Sequence, residues 1–233
     1  MRGPIVFSSR PDQELFNAVA RRFKEWSAIP LSAGEKERVN RQVESDFVQS
    51  ALKLSASQGE SGAGAEARIQ GIIEAFHLVR SFAESEGKQA ALTLDLILRL
   101  GSAAGSGLRN GPAAGAVPAE HLQLILEGAC RWFSADSFDE LNPAEQAAIV
   151  ALRLIELQPF EESNLALALT CSSLFTMRSG LPPLIIPPEQ AGRFRAAIEE
   201  GLKANTKPLV ELIAASLEMS LARMIEETGK GRV

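Results

Sequence analysis

The sequence predicts an all-α protein, and three observations carry that prediction. Apolar residues recur at spacings of three and four through most of the 233 residues, the period of one helix face. The period-two alternation of a half-buried strand is almost missing. Stretches rich in Gly, Pro and Ser interrupt the helical pattern where turns between helices would fall.

From the N-terminus, residues 12–27 place Leu15, Phe16, Val19, Phe23 and Trp26 on one stripe. Residues 36–55 do the same with Val39, Val43, Phe47, Ala51 and Leu54. "SASQGESGAGAE", 55–66, has no apolar period and reads as a flexible connection. A helix over 66–85 carries Ile69, Ile72, Ile73, Phe76, Val79 and Phe82. The short "AALTLDLILRL" then ends at Gly101, an expected C-cap. Residues 101–117 contain five glycines and one proline, which excludes a helix or a central strand. They read as a long surface loop or small hairpin, and long loops in compact domains are often functional.

Helix returns over 118–133, with Pro118 near its start. The next start is the clearest in the chain: Asn142 as N-cap, Pro143 at the first helical position, Glu145 closing the capping box. That helix is apolar almost all round, through Ala147, Ile149, Val150, Leu152, Leu154 and Ile155, so it belongs in the centre of a domain. It stops at Pro159. A second apolar helix starts around Ser163–Asn164 and runs to Arg178. After the Pro-rich "SGLPPLIIPPEQ", amphipathic helices over about 189–204 and 207–227 close a set of eight or nine, with no internal repeat. The break at 158–163 forces polar residues into the middle of the protein.

Composition narrows the function. Hydrophobic residues make up 45%, charged residues 23%, and the net charge is −5 with no basic stripe, which disfavours nucleic-acid binding. No apolar run reaches the length of roughly 20 residues that a membrane span needs. "MRGPIVFSSRPDQELF" lacks the apolar core of a secretory signal, so the expected location is intracellular and cytoplasmic, with no membrane partner. Cys130 and Cys171 lie in apolar helices and read as small buried residues. Neither His77 nor His121 has a Cys or His at ligand spacing, which argues against zinc. No serine stands in a G-x-S-x-G elbow.

A helix N-terminus offers unpaired N–H groups and positive partial charge, a setting for phosphate. The break, Gln158, Pro159, Phe160, Glu161, Glu162, Ser163, Asn164, Leu165, Ala166 and then Leu169, resembles in register the Fic family loop H-x-F-x-[DE]-G-N-G-R-x-x-R. The flanks agree. "LNPAEQAAIVALRLIELQPF" is similar to the family's helix leading into the loop. "AAGSGLRNGP" is similar to its flap segment, with Gly107, Leu108 and Arg109 as flap residues. "PLIIPPEQAGRFRAAIEEGLKANTKPLVELI" is similar to its closing helices. The likeness covers roughly residues 40–225. It implies a Fic/Fido-like domain over 36–228, with two central helices flanking the motif loop and a short Gly-rich flap. Residues 1–35 would be an N-terminal helical extension and 229–233 a tail.

The resemblance implies transfer of AMP from ATP to a protein hydroxyl, with the motif histidine as base. Here Gln158 holds that position, and an amide does not titrate. A general base is worth about 10²–10⁴-fold in rate. Glu162 keeps the magnesium-binding position and Asn164 the motif asparagine, beside the motif core Pro159 and Phe160. The anion loop reads Ser163, Asn164, Leu165, Ala166: both glycines and the phosphate arginine are replaced, and Leu169 replaces the distal arginine. A side chain at a left-handed glycine position costs roughly 1–2 kcal/mol. Many Fic proteins also carry an inhibitory helix, [ST]-x-x-x-E-[GN]. The nearest stretch, "SALKLS", has Leu54 at the glutamate position, so both partners of the inhibitory ion pair become leucine. The flap has Leu108 where tyrosine is frequent, and the chain has no tyrosine to modify.

The expected function is a Fic-like protein with a degenerate motif, binding or regulating through the retained cleft. One rival is an active transferase using Glu161 or Glu162 on a nucleotide or phospho-donor. Another is an interaction domain that binds no nucleotide. A weakly held magnesium nucleotide is the one cofactor left open. A protein target and a homodimer are the partners left open.

Overall fold

The structure is a computed structural model describing residues 11–57, 65–111 and 118–229. Among them are ten α-helices. They are α1 (Gln13–Ser27), α2 (Ala33–Ser57), α3 (Ala65–Glu86), α4 (Leu94–Ala103), α5 (Ala119–Phe133), α6 (Asp136–Asp139), α7 (Pro143–Leu157), α8 (Asn164–Met177), α9 (Ala191–Leu202) and α10 (Lys207–Gly229). Short 3₁₀ turns occupy Gly87–Gln89 and Pro188–Gln190. The described residues contain no strand, only an isolated antiparallel pair, Leu108 with Phe160. The helix beyond the expected nine is α6, a single turn too short to show a period, which buries Phe138.

Local chemistry explains the starts. At α7 the Asn142 side chain accepts the Ala144 N–H at 3.0 Å, and Glu145 accepts the Asn142 N–H at 2.9 Å. The same reciprocal arrangement begins α2. The Ser32 N–H donates to Glu35 at 2.8 Å and the Ser32 hydroxyl accepts from the Glu35 N–H at 3.3 Å. This Ser-x-x-Glu box was legible in the sequence and sets the start at Ala33 rather than 36.

The helix expected to end at Gly101 continues to Ala103, with Ala104 as C-cap. Gly101 has a different purpose. A Cβ there would lie 2.4 Å from Cε1 of Phe160. Glycine inside this helix lets another segment approach its backbone. The sharp turn falls at Gly105, at φ +68°. Residues 101–103 are therefore helical, 104–111 run as a loop onto the motif break, and 112–117 lie outside the described residues. Most of the expected 55–66 connection, residues 58–64, lies outside them as well.

The central pair is α7 and α8, and α8 is buried on every side from Leu165 to Thr176. Its buried hydroxyls do not make it polar inside. Thr170, Ser172 and Ser173 each donate to the carbonyl four residues earlier, at 2.7–2.8 Å. Two apolar clusters flank the pair. One gathers Phe47, Leu54, Phe76, Leu165, Leu169 and Ile213 around α2 and α10. The other gathers Ile97, Leu126, Phe133, Phe138, Phe160 and Phe175 around α4, α5 and α6. Arg178 pins the far end of α8, donating to Ala90 O at 2.9 Å, Asp139 at 2.6 Å and Gln146 at 3.2 Å. Helix α1 lies along α10, tied by Arg22 to Glu218 at 2.9 Å.

Candidate functional site

The break between α7 and α8 is a tight loop with left-handed residues at both ends. Helix α7 ends at Leu157, two residues before Pro159, because Gln158 takes φ 44°, ψ 61° and caps it, donating its N–H to Leu154 O at 2.9 Å. Pro159 has no N–H to extend the helix. Ser163 takes φ 59°, ψ 24° and caps α8 without a side-chain hydrogen bond. The glycine geometry expected at 163 is thus adopted by a serine. At Leu165 the backbone is ordinary helix, so the left-handed cost falls on Ser163 and not on Leu165.

Asn164 closes the loop from below. Its Oδ1 accepts the Phe160 N–H at 2.9 Å and its Nδ2 donates to Phe160 O at 2.8 Å. Phe160 is buried against Gly101. Gln158, Glu161 and Glu162 are exposed. Leu165, Ala166 and Leu169 are 2%, 1% and 0% exposed and pack into the first apolar cluster. Leu54 is buried in that same cluster with Leu169, so the two leucines share one apolar environment.

The flap lies directly on the loop. The Arg109 N–H donates to Pro159 O at 2.9 Å, and the Glu161 N–H donates to Gly107 O at 3.1 Å, which pairs Leu108 with Phe160. The buried Arg109 side chain reaches over the end of α7. Its Nε donates to Gln158 O at 3.0 Å and its Nη1 to Gly111 O at 2.6 Å. A guanidinium at a helix C-terminus also complements the helix dipole. Ser106 is the residue that the sequence reading missed. Its hydroxyl accepts the Glu162 N–H and donates to Glu162 O, both at 3.0 Å. A serine inside "AAGSGLRNGP" looks like any loop residue, and no spacing reveals its partner.

The chemistry available is limited. Gln158 cannot carry a proton. Burial pushes the Cys130 thiol up to about 11, with Glu127 adding to the shift, and burial raises Cys171 as well, so both are neutral thiols at pH 7. His77 sits on the surface, 2.7 Å from Glu44, and His121 lies beside Glu120. Among the described residues no group of three or more His, Cys, Asp or Glu side chains is arranged to hold a metal. Glu162 alone suits magnesium only where nucleotide phosphates complete the shell. Ala166 and Leu169, which align with the two arginines of the motif that the loop resembles, are aliphatic and buried and offer no charge to a phosphate. A groove of about 250 Å³ lies elsewhere, lined by residues including Trp26, Val43, Phe76, Arg80, Met177 and Met224, and takes nothing from the motif loop. No helix among the described residues is long and apolar enough to cross a membrane.

No family model matches the chain. The protein adenylyltransferase fic-1 of Caenorhabditis elegans is 30% identical over 109 residues, 47% of this chain and 22% of that protein. Its namesake in Caenorhabditis briggsae is 32% identical over 119 residues, 50% of this chain and 24% of the relative. The chain thus spans about a quarter or less of the length of these curated relatives. Among solved structures, C. elegans Fic-1 superposes with a TM-score of 0.77 at 19% identity, covering 94% of this chain and 73% of that one. A Fic domain-containing signaling protein from Bacteroides thetaiotaomicron gives 0.73 at 18%, covering 93% and 98%. The all-helical Fic fold follows from these superpositions, and over about half of its length the chain is similar in sequence to proteins named as Fic adenylyltransferases.

Proposed function

We propose that the chain is a Fic-family protein that does not transfer AMP and instead binds or regulates a protein target through the exposed face of the motif break. The curated relatives are named adenylyltransferases, and the fold is theirs. The observation that carries the departure is the burial of Leu165, Ala166 and Leu169. Where a phosphate-binding loop presents glycine backbone and guanidinium groups, this chain packs aliphatic side chains into its core. A lost oriented electrostatic contact costs about 10²–10³-fold in rate, and a lost base a similar amount. The departures at Gln158, Ser163, Leu165, Ala166 and Leu169 act on one constellation, so the losses are not independent. What remains outward is Gln158, Glu161 and Glu162, a polar and acidic rim.

Two measurements test the reading. Labelling of the protein or a mixed lysate with radioactive ATP should not exceed that of a Glu162→Ala control. Melting temperature should not respond to ATP, ADP or GTP, with or without magnesium. Labelling above the control, or a magnesium-dependent shift, would favour the altered transferase that uses Glu161 or Glu162.

A further inference from the structure

The backbone of the motif loop is almost fully occupied by the protein itself. The carbonyls of Gln158 and Pro159 accept from Arg109 side chain and backbone, and Leu157 O receives a longer contact from Arg109 Nη2 at 3.5 Å. Phe160 is satisfied on both sides by Asn164. The Glu161 N–H goes to Gly107, and both Glu162 groups go to the Ser106 hydroxyl. Across 158–162 only the Glu161 carbonyl is left without a partner among the described residues. Two non-glycine residues hold left-handed conformations at the ends of this stretch. Such conformations persist only where the surroundings over-determine them.

We propose that Ser106–Arg109 is a strap that holds the motif loop shut. The strap supplies the partners of Gln158, Pro159, Glu161 and Glu162, while Asn164 supplies those of Phe160. A ligand that hydrogen-bonds to the Gln158, Pro159 or Glu162 carbonyls, or to the Glu161 or Glu162 N–H groups, must first displace it. This deepens the non-catalytic reading of the cleft and rests on it for the identity of the loop. Ser106 is the release point because one hydroxyl serves both Glu162 groups and is itself fixed at the start of the strap, where its N–H donates to Gly101 O at 2.8 Å. Arg109 is the anchor, because it is buried and reaches the last carbonyls of α7.

Residue-resolved amide exchange on the whole chain tests the strap. The Glu161 and Glu162 amides should be protected in the wild type although their side chains face solvent. Ser106→Ala should speed exchange of the Glu162 amide roughly tenfold, the range expected for one lost hydrogen bond, while amides inside α7 stay unchanged. Ser106→Thr, which keeps the hydroxyl, should retain protection. Arg109→Lys, which loses the fork, should loosen the loop partway. Unprotected Glu161 and Glu162 amides in the wild type would overturn the strap. So would unchanged Glu162 exchange in Ser106→Ala, or acceleration spread evenly through α7 and α8. AMP transfer by the wild type would sink the functional reading alone. Protected amides in that same protein would leave the strap standing as a gate on an active site.

Discussion

Gln158 and Ser163 frame the loop, and each differs in its own way from the Fic motif that the loop resembles. At Ser163 the departure is conformational: a serine holds φ 59° where glycine is at ease, with no cap bond in return. Ser163→Gly should therefore raise stability. The left-handed penalty of roughly 1–2 kcal/mol is relieved, and the greater freedom of glycine in the unfolded chain takes back part of it. A gain of about 0.5–1 kcal/mol in urea unfolding is expected, and a loss would show that the Ser163 hydroxyl contributes more than its geometry indicates. At Gln158 the departure is chemical. Gln158→His alone should yield no AMP transfer, because it would restore a base at an exposed position while Leu165 and Ala166 stay packed in the core and offer no phosphate clamp. The combined variant Gln158→His, Ser163→Gly, Leu165→Gly, Ala166→Arg, Leu169→Arg is the proper comparison. Robust transfer by the single variant would show that the damage at Leu165 and Ala166 has been overrated.

At the scale of elements, the helices were legible wherever one residue's reason was local. The Asn142 box and the apolar stripe of α7 required nothing from the rest of the chain. Gly101 was misread because its reason is remote: a ring from 59 positions downstream packs where a Cβ would stand. The roles of Ser106 and Arg109 were hidden in the same way, since their partners are backbone groups of the motif loop and backbone groups leave no trace in residue identity. Gly101→Ala probes this directly. The new methyl meets Phe160 at 2.4 Å, so the ring or the helix must move. Overpacking of this kind costs about 1–3 kcal/mol. Phe160→Leu in the Gly101→Ala background should recover part of that loss by opening the contact. No recovery would place the strain within α4 itself.

At the scale of the molecule, the central pair α7 and α8 was predicted from apolar character on all sides, and the structure makes that burial the link between two clusters. Leu165 and Leu169 face one cluster while Leu167, Cys171 and Phe175 face the other. A chain of 233 residues is long enough for separate folding units, and populated intermediates become common above about 100–150 residues. The shared helix argues against them here, because neither cluster can open without stripping one side of α8. The two tryptophans report on the two sides: Trp26 packs against the first cluster, Trp132 against the second, 5.1 Å from the ring of Phe138. Trp132→Phe leaves the first reporter and Trp26→Phe the second. Their urea transitions should share one midpoint once each variant's own stability change is removed by circular dichroism on the same sample. Leu169→Ala, which opens a cavity only on the Trp26 side, should cost about 2–5 kcal/mol and lower the Trp132 transition as much as the Trp26 one. If Leu169→Ala moves only the Trp26 transition, α8 does not couple the halves, and the molecule is two units sharing a helix rather than one.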